Sequence, residues 1–156
     1  MPITSLIHEK NIVFLKETEP ARILARLAEV AFANSHVRDP EGFKAALLQR
    51  EGQGSTGLGL GAALPHAARP DIDEMFIITG LTSVAVPWNS LDGQPVRLVF
   101  GIGLPGSPAD PEDTNSRYLR LVAQLMLIIK EEQRRQALLS ADSARQVQKI
   151  MTFSGQ

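Results

Sequence analysis

One glycine-rich segment, residues 50–67, constrains the fold and the function of this chain more than any other. It reads REGQGSTGLGLGAALPHA and holds five of the 12 glycines in the sequence. A regular helix through it is disfavoured, because each glycine would cost about 1 kcal/mol relative to alanine. The stretch from Thr56 to Leu64 is therefore predicted to form short strands or a tight hairpin. Pro65 restricts Leu64 to an extended conformation and fixes the approach of the chain to His66.

His66 is the candidate reactive group of this segment. A neutral imidazole can act as a nucleophile near pH 7 without an activating base. The glycines let backbone N–H groups converge on an anion, and Ser55 and Thr56 add hydroxyl donors. Arg50 ends the helix that leads into the loop, and its guanidinium can hold two phosphoryl oxygens at once. The pattern indicates that His66 accepts a phosphoryl group, with Arg50, Ser55 and Thr56 as its stabilising residues.

Structural roles for some of these residues stay open at this point. A histidine behind a proline is often structural, and Arg50 with Glu51 could form a solvated helix end. We interpret His8 and His36 as surface histidines, because both lie among charged residues near the ends of predicted elements. Residues 52–57 match GxGxxG, but a helix precedes them and none follows, so the match does not indicate a dinucleotide site.

Composition argues against several classes of function. The chain has 156 residues, 44% of them hydrophobic, which suits a single domain over residues 1–156. A net charge of −1 offers no basic surface for nucleic acid. The longest apolar runs are too short to span a bilayer, and with no cysteine and no signal-peptide core the chain is typical of a cytoplasmic protein. No His/Asp/Glu cluster has metal-ligand spacing, so we expect no metal and no cofactor.

Hydrophobic periodicity predicts helices on the outside and apolar strands between them. Strands are predicted at 11–15, 75–81, 84–88 and 96–104, and the second and fourth are apolar runs of the kind covered on both faces. Helices are predicted from Pro20 to about residue 33, from Pro40 to about residue 50, from 113–115 onward, over 131–139 and after residue 142. Asp39 is predicted to cap the second of these helices and Asp142 the last. Residues 105–111 are predicted to be a loop. This order predicts an α/β or α+β sandwich with a mixed β-sheet.

Several groups of residues together resemble a known protein family. They are Arg50-Glu51, Ser55-Thr56-Gly57-Leu58-Gly59 and Gly61–Ala67, followed by Val86–Gly93 and the apolar strand from Val96 to Ile102. This combination resembles the signature of the type 2 IIA proteins, the fructose/mannitol and nitrogen-regulatory IIA components of the bacterial phosphotransferase system (PTS). The resemblance covers nearly the whole chain. It implies a mixed sheet flanked by helices on both sides.

The resemblance also implies an activity and partners. The family histidine that matches His66 takes a phosphoryl group from phosphohistidine on the carrier HPr, or on its nitrogen-branch counterpart. It then passes the group to a IIB domain or keeps it as a regulatory state. Arg50 matches the family arginine near the phosphohistidine, and no metal is required. Many members carry a second histidine where this chain has Tyr118-Leu119.

Two interpretations of this departure stay open. In the first, the hydroxyl of Tyr118 donates a hydrogen bond to the phosphoryl group. In the second, Tyr118 is an amphipathic residue of the core and has no role in the reaction. Correspondingly, the chain is either an active phosphocarrier or a non-transporting regulatory module of the nitrogen-regulatory type, with weakened or lost phosphotransfer. For the phosphocarrier we expect transient partner docking on an apolar patch around His66, and for the regulatory module we expect binding of a partner protein.

Overall fold

The fold is built on one mixed β-sheet. The computed structural model describes residues 5–152. Within these residues the strands are β1 (Ile12–Leu15), β2 (Gly57–Gly59), β3 (Ala62–Ala63), β4 (His66–Arg69), β5 (Phe76–Val86) and β6 (Val96–Pro105). The helices are α1 (Pro20–Ala33), α2 (Pro40–Gly52), α3 (Pro111–Lys130), α4 (Glu132–Ser140) and α5 (Ala144–Thr152), and a 3-10 turn, Glu9–Asn11, precedes β1. The predicted α/β fold with a mixed sheet is confirmed.

Two long strands, β5 and β6, form the centre of the sheet. They pair antiparallel, and β1 lies parallel to the outer edge of β5. Both β3 and β4 lie parallel to the other edge of β6, with β3 beside residues 98–99 and β4 beside residues 102–105. Strand β2 closes that side by pairing antiparallel with β3. His66 therefore begins a strand and lies opposite Ile102 of β6.

Helices cover both faces of the sheet, as expected. One hydrophobic cluster joins α1 and α2 to the first face through residues that include Leu24, Leu27, Phe43, Leu47, Ile78 and Val99. The second cluster joins α3, α4 and α5 to the opposite face through residues that include Phe100, Ile102, Leu125, Ile129, Leu138 and Val147. No helix in the described part of the chain has both the length and the apolar character that crossing a bilayer requires.

Prolines and carboxylates start the longer helices. Helices α1, α2 and α3 each begin at a proline, which is pre-set for the first helical position. The side chain of Asp39 accepts a hydrogen bond from the amide of Gly42, as its predicted capping role requires. The start predicted for α3 at 113–115 is wrong, because Asp110 caps this helix by accepting from the amide of Asp113 at 3.1 Å. The predicted loop therefore ends before Pro111.

Two further predictions about the elements need correction, and one strand was not predicted. The strands predicted at 75–81 and 84–88 form the single strand β5, whose pairing with β6 shifts register between Leu81 and Val86. Helix α5 is capped by Ser143, whose hydroxyl accepts from the amide of Gln146, and not by Asp142. Strand β4 was not predicted, because its sequence HAAR carries no alternating apolar pattern.

Candidate functional site

A hairpin and a proline place His66 at the start of β4. Strands β2 and β3 form the predicted hairpin, and the two turn residues between them, Leu60 and Gly61, both have positive φ. This backbone conformation favours glycine in tight hairpin turns. The segment after β3 is then tied down on two sides. The amide of Leu64 donates to Thr56 O at 3.0 Å, and the amide of Ile102 donates to Pro65 O at 2.9 Å.

The imidazole of His66 is held by one hydrogen bond. Its Nδ1–H donates to the carbonyl oxygen of Leu64 at 2.9 Å, and the ring is half-buried. A carbonyl oxygen can only accept, so Nδ1 carries the proton and the lone pair of the neutral ring lies on Nε2. Among residues 5–152 no hydrogen-bond partner occupies Nε2. The available nucleophilic atom of this side chain is therefore Nε2.

Tyr118 on α3 lies beside this imidazole. The two ring centroids are 5.6 Å apart, with an angle of 43° between the ring planes. Burial raises the pKa of Tyr118 above its usual value, and the positive charge of Arg50 opposes that rise. The phenol therefore keeps its proton at neutral pH and can donate a hydrogen bond. Helix α3 thus brings a polar group to the ring of His66.

Arg50 reaches the site from the last turn of α2. Its Nη1 donates to the carbonyl oxygen of Gly54 at 2.8 Å, and the side chain is half-buried. A guanidinium has five N–H donors, so this single bond leaves most of them available for an anion. The structure thus places Tyr118 beside His66, and the charge of Arg50 lies close enough to Tyr118 to oppose the rise of its pKa.

The hydroxyl groups of Ser55 and Thr56 already donate to other partners. Ser55 Oγ donates to Trp88 O at 2.6 Å, and Thr56 Oγ1 donates to Glu51 at 2.5 Å. Each hydroxyl would have to leave its partner to reach a phosphoryl group, so a stabilising role for either residue stays a prediction. The amides of Gly54, Thr56 and Gly57 are also bonded within the loop and do not converge on an anion as predicted.

Sequence reasoning did not identify two residues that organise this loop, Glu51 and Trp88. The carboxylate of Glu51 accepts from the amide and the hydroxyl of Thr56 and from the indole Nε1 of Trp88 at 3.1 Å. Trp88 is 3% exposed and follows strand β5. Both residues belong to the segments on which the family resemblance rests, but their contact joins positions 37 residues apart. No local pattern in the sequence could have paired them.

The other two histidines lie outside this site. His8 is exposed, as predicted. The prediction that His36 is a surface residue is wrong, because its ring is half-buried and stacks on Phe76 with centroids 4.6 Å apart. Its Nε2–H donates to the buried Asn11 Oδ1 at 3.0 Å. Burial lowers the pKa of His36, and the charges of Lys10 and His8 lower it further.

A separate cleft lies beyond the far ends of β4 and β6. It has a volume of about 520 Å³, and its lining includes Pro70, Met75, Pro105 and Asp113 but not His66. Within residues 5–152, no three His, Asp or Glu side chains lie close enough together to hold a metal ion. The polar groups around His66 are therefore the best candidate for a reactive site in the described chain.

Comparison with known proteins places this arrangement in a family. The family described as "Phosphoenolpyruvate-dependent sugar phosphotransferase system, EIIA 2" matches residues 5–153. A fructose-specific EIIABC component of Bacillus subtilis is 33% identical over 144 residues, which cover 92% of this chain and 22% of that protein. The chain thus spans about a fifth of that relative's length. A nitrogen regulatory protein of Bradyrhizobium diazoefficiens is 28% identical over 98% of this chain and 96% of its own length.

Solved structures show the same fold. The nitrogen regulatory protein IIA-Ntr of Neisseria meningitidis superposes with a TM-score of 0.85 at 23% identity, over 96% of this chain and 99% of that one. Mannitol IIA of Escherichia coli, solved in complex with phosphorylated mannitol IIB, gives a TM-score of 0.75 at 18% identity, over 91% and 94% of the two chains. The match over almost the whole sequence and the shared fold agree with the resemblance of the segment around His66. The chain therefore belongs to the EIIA 2 family of the phosphoenolpyruvate-dependent sugar phosphotransferase system, whose members have phosphocarrier or regulatory roles.

Proposed function

We propose that this protein is a histidine phosphocarrier and that His66 Nε2 accepts the phosphoryl group. The observation that carries the proposal is the hydrogen bond from His66 Nδ1–H to Leu64 O. It orients the ring and commits the proton to Nδ1, so Nε2 is ready to attack without prior deprotonation. The same carbonyl then stabilises the positive charge that the ring acquires when Nε2 bonds to phosphorus.

The donor is a phosphohistidine on an HPr-like carrier protein. As His66 Nε2 forms its bond to phosphorus, the N–P bond of the donor breaks, and the donor imidazole leaves with the electron pair. The transition state is loose and in line, with charge on the three equatorial oxygens. In the next step His66 is the phosphoryl donor, and a IIB domain accepts the group by the same in-line reaction. Alternatively, the phosphorylated form acts as a signal to a regulatory target. The transfer needs no added cofactor, because the donor is already activated.

Arg50 and Tyr118 are the groups that we assign to the phosphoryl oxygens. A phosphoryl group on His66 carries nearly two negative charges. One cation at 4 Å contributes about 4 kcal/mol per unit charge at an effective dielectric constant of 20. The protonated phenol of Tyr118 adds one neutral donor at the position where many family members are expected to have a histidine. Ser55 and Thr56 can assist only if their hydroxyls exchange partners.

Leu119 is the candidate centre of the docking surface. It follows Tyr118 directly and is 57% exposed. Leu127 lies two turns further along α3 and is 70% exposed, so it offers a matched control at a distance of about 12 Å. We expect Leu119→Glu to raise the half-saturating concentration of the phosphoryl donor, and Leu127→Glu to leave it unchanged. Equal effects of the two substitutions would contradict a docking site centred beside Tyr118.

The test of the proposal is transfer from radiolabelled phosphoenolpyruvate through the general phosphotransfer proteins. We expect acid-labile label in the wild type and none in His66→Ala. The control is His36→Gln, which removes another imidazole but keeps a hydrogen-bond donor toward Asn11. Nitrogen NMR of the labelled protein should show phosphorus on Nε2. Label that persists in His66→Ala, or that resides on Nδ1, would refute the assignment.

A second candidate function is a regulatory module that no longer moves phosphate for transport. The observation in its favour is the match to a nitrogen regulatory protein over 98% of this chain and 96% of that protein. In this case phosphorylation of His66 switches the binding of a target protein. Pull-down with the wild type and with His66→Asp separates the candidates, because a switch requires partner binding to differ between the two. Identical partners bound with equal strength would argue against regulation.

A further inference from the structure

We propose that Glu51 is a positioning residue for phosphoryl transfer, which it supports by holding the loop that orients Arg50. The inference rests on the proposed function of His66. Glu51 and Arg50 are neighbours in the last turn of α2 and have different partners. Arg50 bonds the loop carbonyl of Gly54, whereas the carboxylate of Glu51 gathers three donors. The two side chains at the end of α2 therefore both form hydrogen bonds with the same loop.

The three donors come from two separate segments of the chain. Thr56 supplies its amide at 2.8 Å and its hydroxyl at 2.5 Å, and Trp88 supplies its indole Nε1 at 3.1 Å. Thr56 and Trp88 are 5% and 3% exposed, so water could not readily replace the carboxylate as their partner. A charged acceptor of this kind makes hydrogen bonds about twice as strong as a neutral one. Glu51 thus links the loop after α2 to the segment after β5.

Close contact between these two segments makes the link rigid. Ser55 Oγ donates to the carbonyl of Trp88 at 2.6 Å, so Ser55 holds the backbone of this residue while Glu51 holds its indole. At Gly57 an added Cβ would overlap Ser90 Oγ and lie 2.9 Å from Ser90 Cα. Only glycine allows the backbones to approach this closely. The loop that carries Gly54, and with it the guanidinium of Arg50, is therefore fixed against the core.

The consequence for transfer is geometric. Arg50 contacts the loop at Gly54 O, two residues before the atoms that Glu51 holds at Thr56. Without the carboxylate the loop can shift, and the guanidinium shifts with it relative to His66. A misplacement of about 1 Å in a group that orients the reacting atoms can lower a rate about a hundredfold. The docking surface proposed at Leu119 lies on α3 and outside this loop, so docking of the donor protein should be unaffected.

The experiment measures label transfer to Glu51→Ala and Glu51→Gln at saturating and subsaturating donor protein. We expect the maximal rate to fall about a hundredfold in Glu51→Ala and about tenfold in Glu51→Gln, since a neutral acceptor makes weaker hydrogen bonds. The half-saturating donor concentration should not change. The matched control is Glu41→Ala, which removes a carboxylate from the first turn of the same helix, where its side chain is 84% exposed. A wild-type maximal rate in Glu51→Ala would overturn the proposal.

Single-donor variants keep the test decisive if Glu51→Ala does not fold. Thr56→Val removes the hydroxyl with little change of shape, and Thr56→Ser restores it. We expect the first to slow transfer and the second to recover the wild-type rate. If Thr56→Val loses thermal stability but transfers at the wild-type rate, the carboxylate has a structural role only and the proposal is wrong.

Fluorescence distinguishes failure of this inference from failure of the proposed function. Trp88 is the single tryptophan of the chain, and its emission can be quenched by acrylamide without any phosphoryl donor. We expect quenching to increase from the wild type to Glu51→Gln to Glu51→Ala, as the indole loses its acceptor and water reaches it. A wild type that accepts no label would refute the phosphocarrier. Unchanged quenching in Glu51→Ala would refute the positioning role, whether or not His66 is phosphorylated.

Discussion

Gly103 of β6 lies against the aromatic ring of Phe76, its cross-strand partner in β5. A Cβ added at Gly103 would overlap Cε1 and Cζ of this ring and lie 3.0 Å from Cδ1. Phe76 is 3% exposed and has little room to move, because His36 stacks on it at 4.6 Å and Phe43 meets it edge-on at 5.5 Å. Gly103 also pairs with Ala67, which follows His66, so the strain would arise next to the candidate site.

The substitution Gly103→Ala should therefore destabilise the protein by about 2–4 kcal/mol. Overpacking of a core costs about 1–3 kcal/mol. Displacing the ring of Phe76 also weakens its two aromatic contacts, each worth about 0.5–1.5 kcal/mol. In a Phe76→Leu background the ring atoms Cε1 and Cζ are absent, and the same substitution should cost less than about 1 kcal/mol.

The assay is urea unfolding of the wild type, the two single variants and the double variant, followed by circular dichroism. The double-mutant cycle should give a coupling free energy of about 1–3 kcal/mol between Gly103 and Phe76. Ala67→Gly combined with Gly103→Ala is the control, since Ala67 neighbours Gly103 without contributing to the overlap. Additive effects of Gly103→Ala and Phe76→Leu would refute the argument that the ring needs a glycine beneath it.

Three other outcomes follow from the described contacts. Tyr118→Phe should slow label transfer to His66 about tenfold to a hundredfold, because a hydrogen bond to a charged group is worth about 1.5–3 kcal/mol. Tyr118→His should recover the rate. Equal rates for tyrosine and phenylalanine would show that the hydroxyl is not used. Stability should decrease as pH falls below 6.5, because the lowered pKa of His36 means that the unfolded chain takes up the proton first. Urea titrations at several pH values should show this slope in the wild type and a weaker one in His36→Gln; equal slopes would contradict it. Asp110→Ala should cost about 1 kcal/mol in the same unfolding assay by removing the cap of α3, and no change would mean that the helix starts elsewhere.

The elements were predictable wherever the signal is local. Helices α1 and α2 were predicted from a proline followed by an apolar stripe. The cap of α2 was predicted from the carboxylate of Asp39, which lies three residues before Gly42. Continuous apolar runs marked the buried parts of β5 and β6. Strand β4 was not predicted because it has four residues and only one of them is buried, so its sequence shows no alternation of apolar and polar residues. Its backbone is extended because β6 offers a parallel partner, which is a non-local cause.

The candidate site was predictable in part. His66 and Arg50 could be identified because they flank the glycine-rich loop, with a guanidinium before it and an imidazole after it. Tyr118 was identified only through the family resemblance. The distance of 5.6 Å between its ring centroid and that of His66 depends on how α3 crosses the sheet. The hydroxyls of Ser55 and Thr56 were expected to face an anion, but they donate hydrogen bonds to the carbonyl oxygen of Trp88 and the carboxylate of Glu51 instead. Hydroxyl groups bond the nearest acceptor in the folded chain, which a sequence does not reveal.

By itself, the sequence determined the longer helices, the buried parts of the two long strands and the position of the candidate histidine, because periodicity, prolines and glycines act over a few residues. Only the tertiary structure decided which nitrogen of His66 is available, since that depends on the direction of the Leu64 carbonyl. It also decided that Glu51 meets Trp88 across 37 positions. Hydrogen bonds are short-ranged and directional, so they become defined only after the core has brought distant segments together.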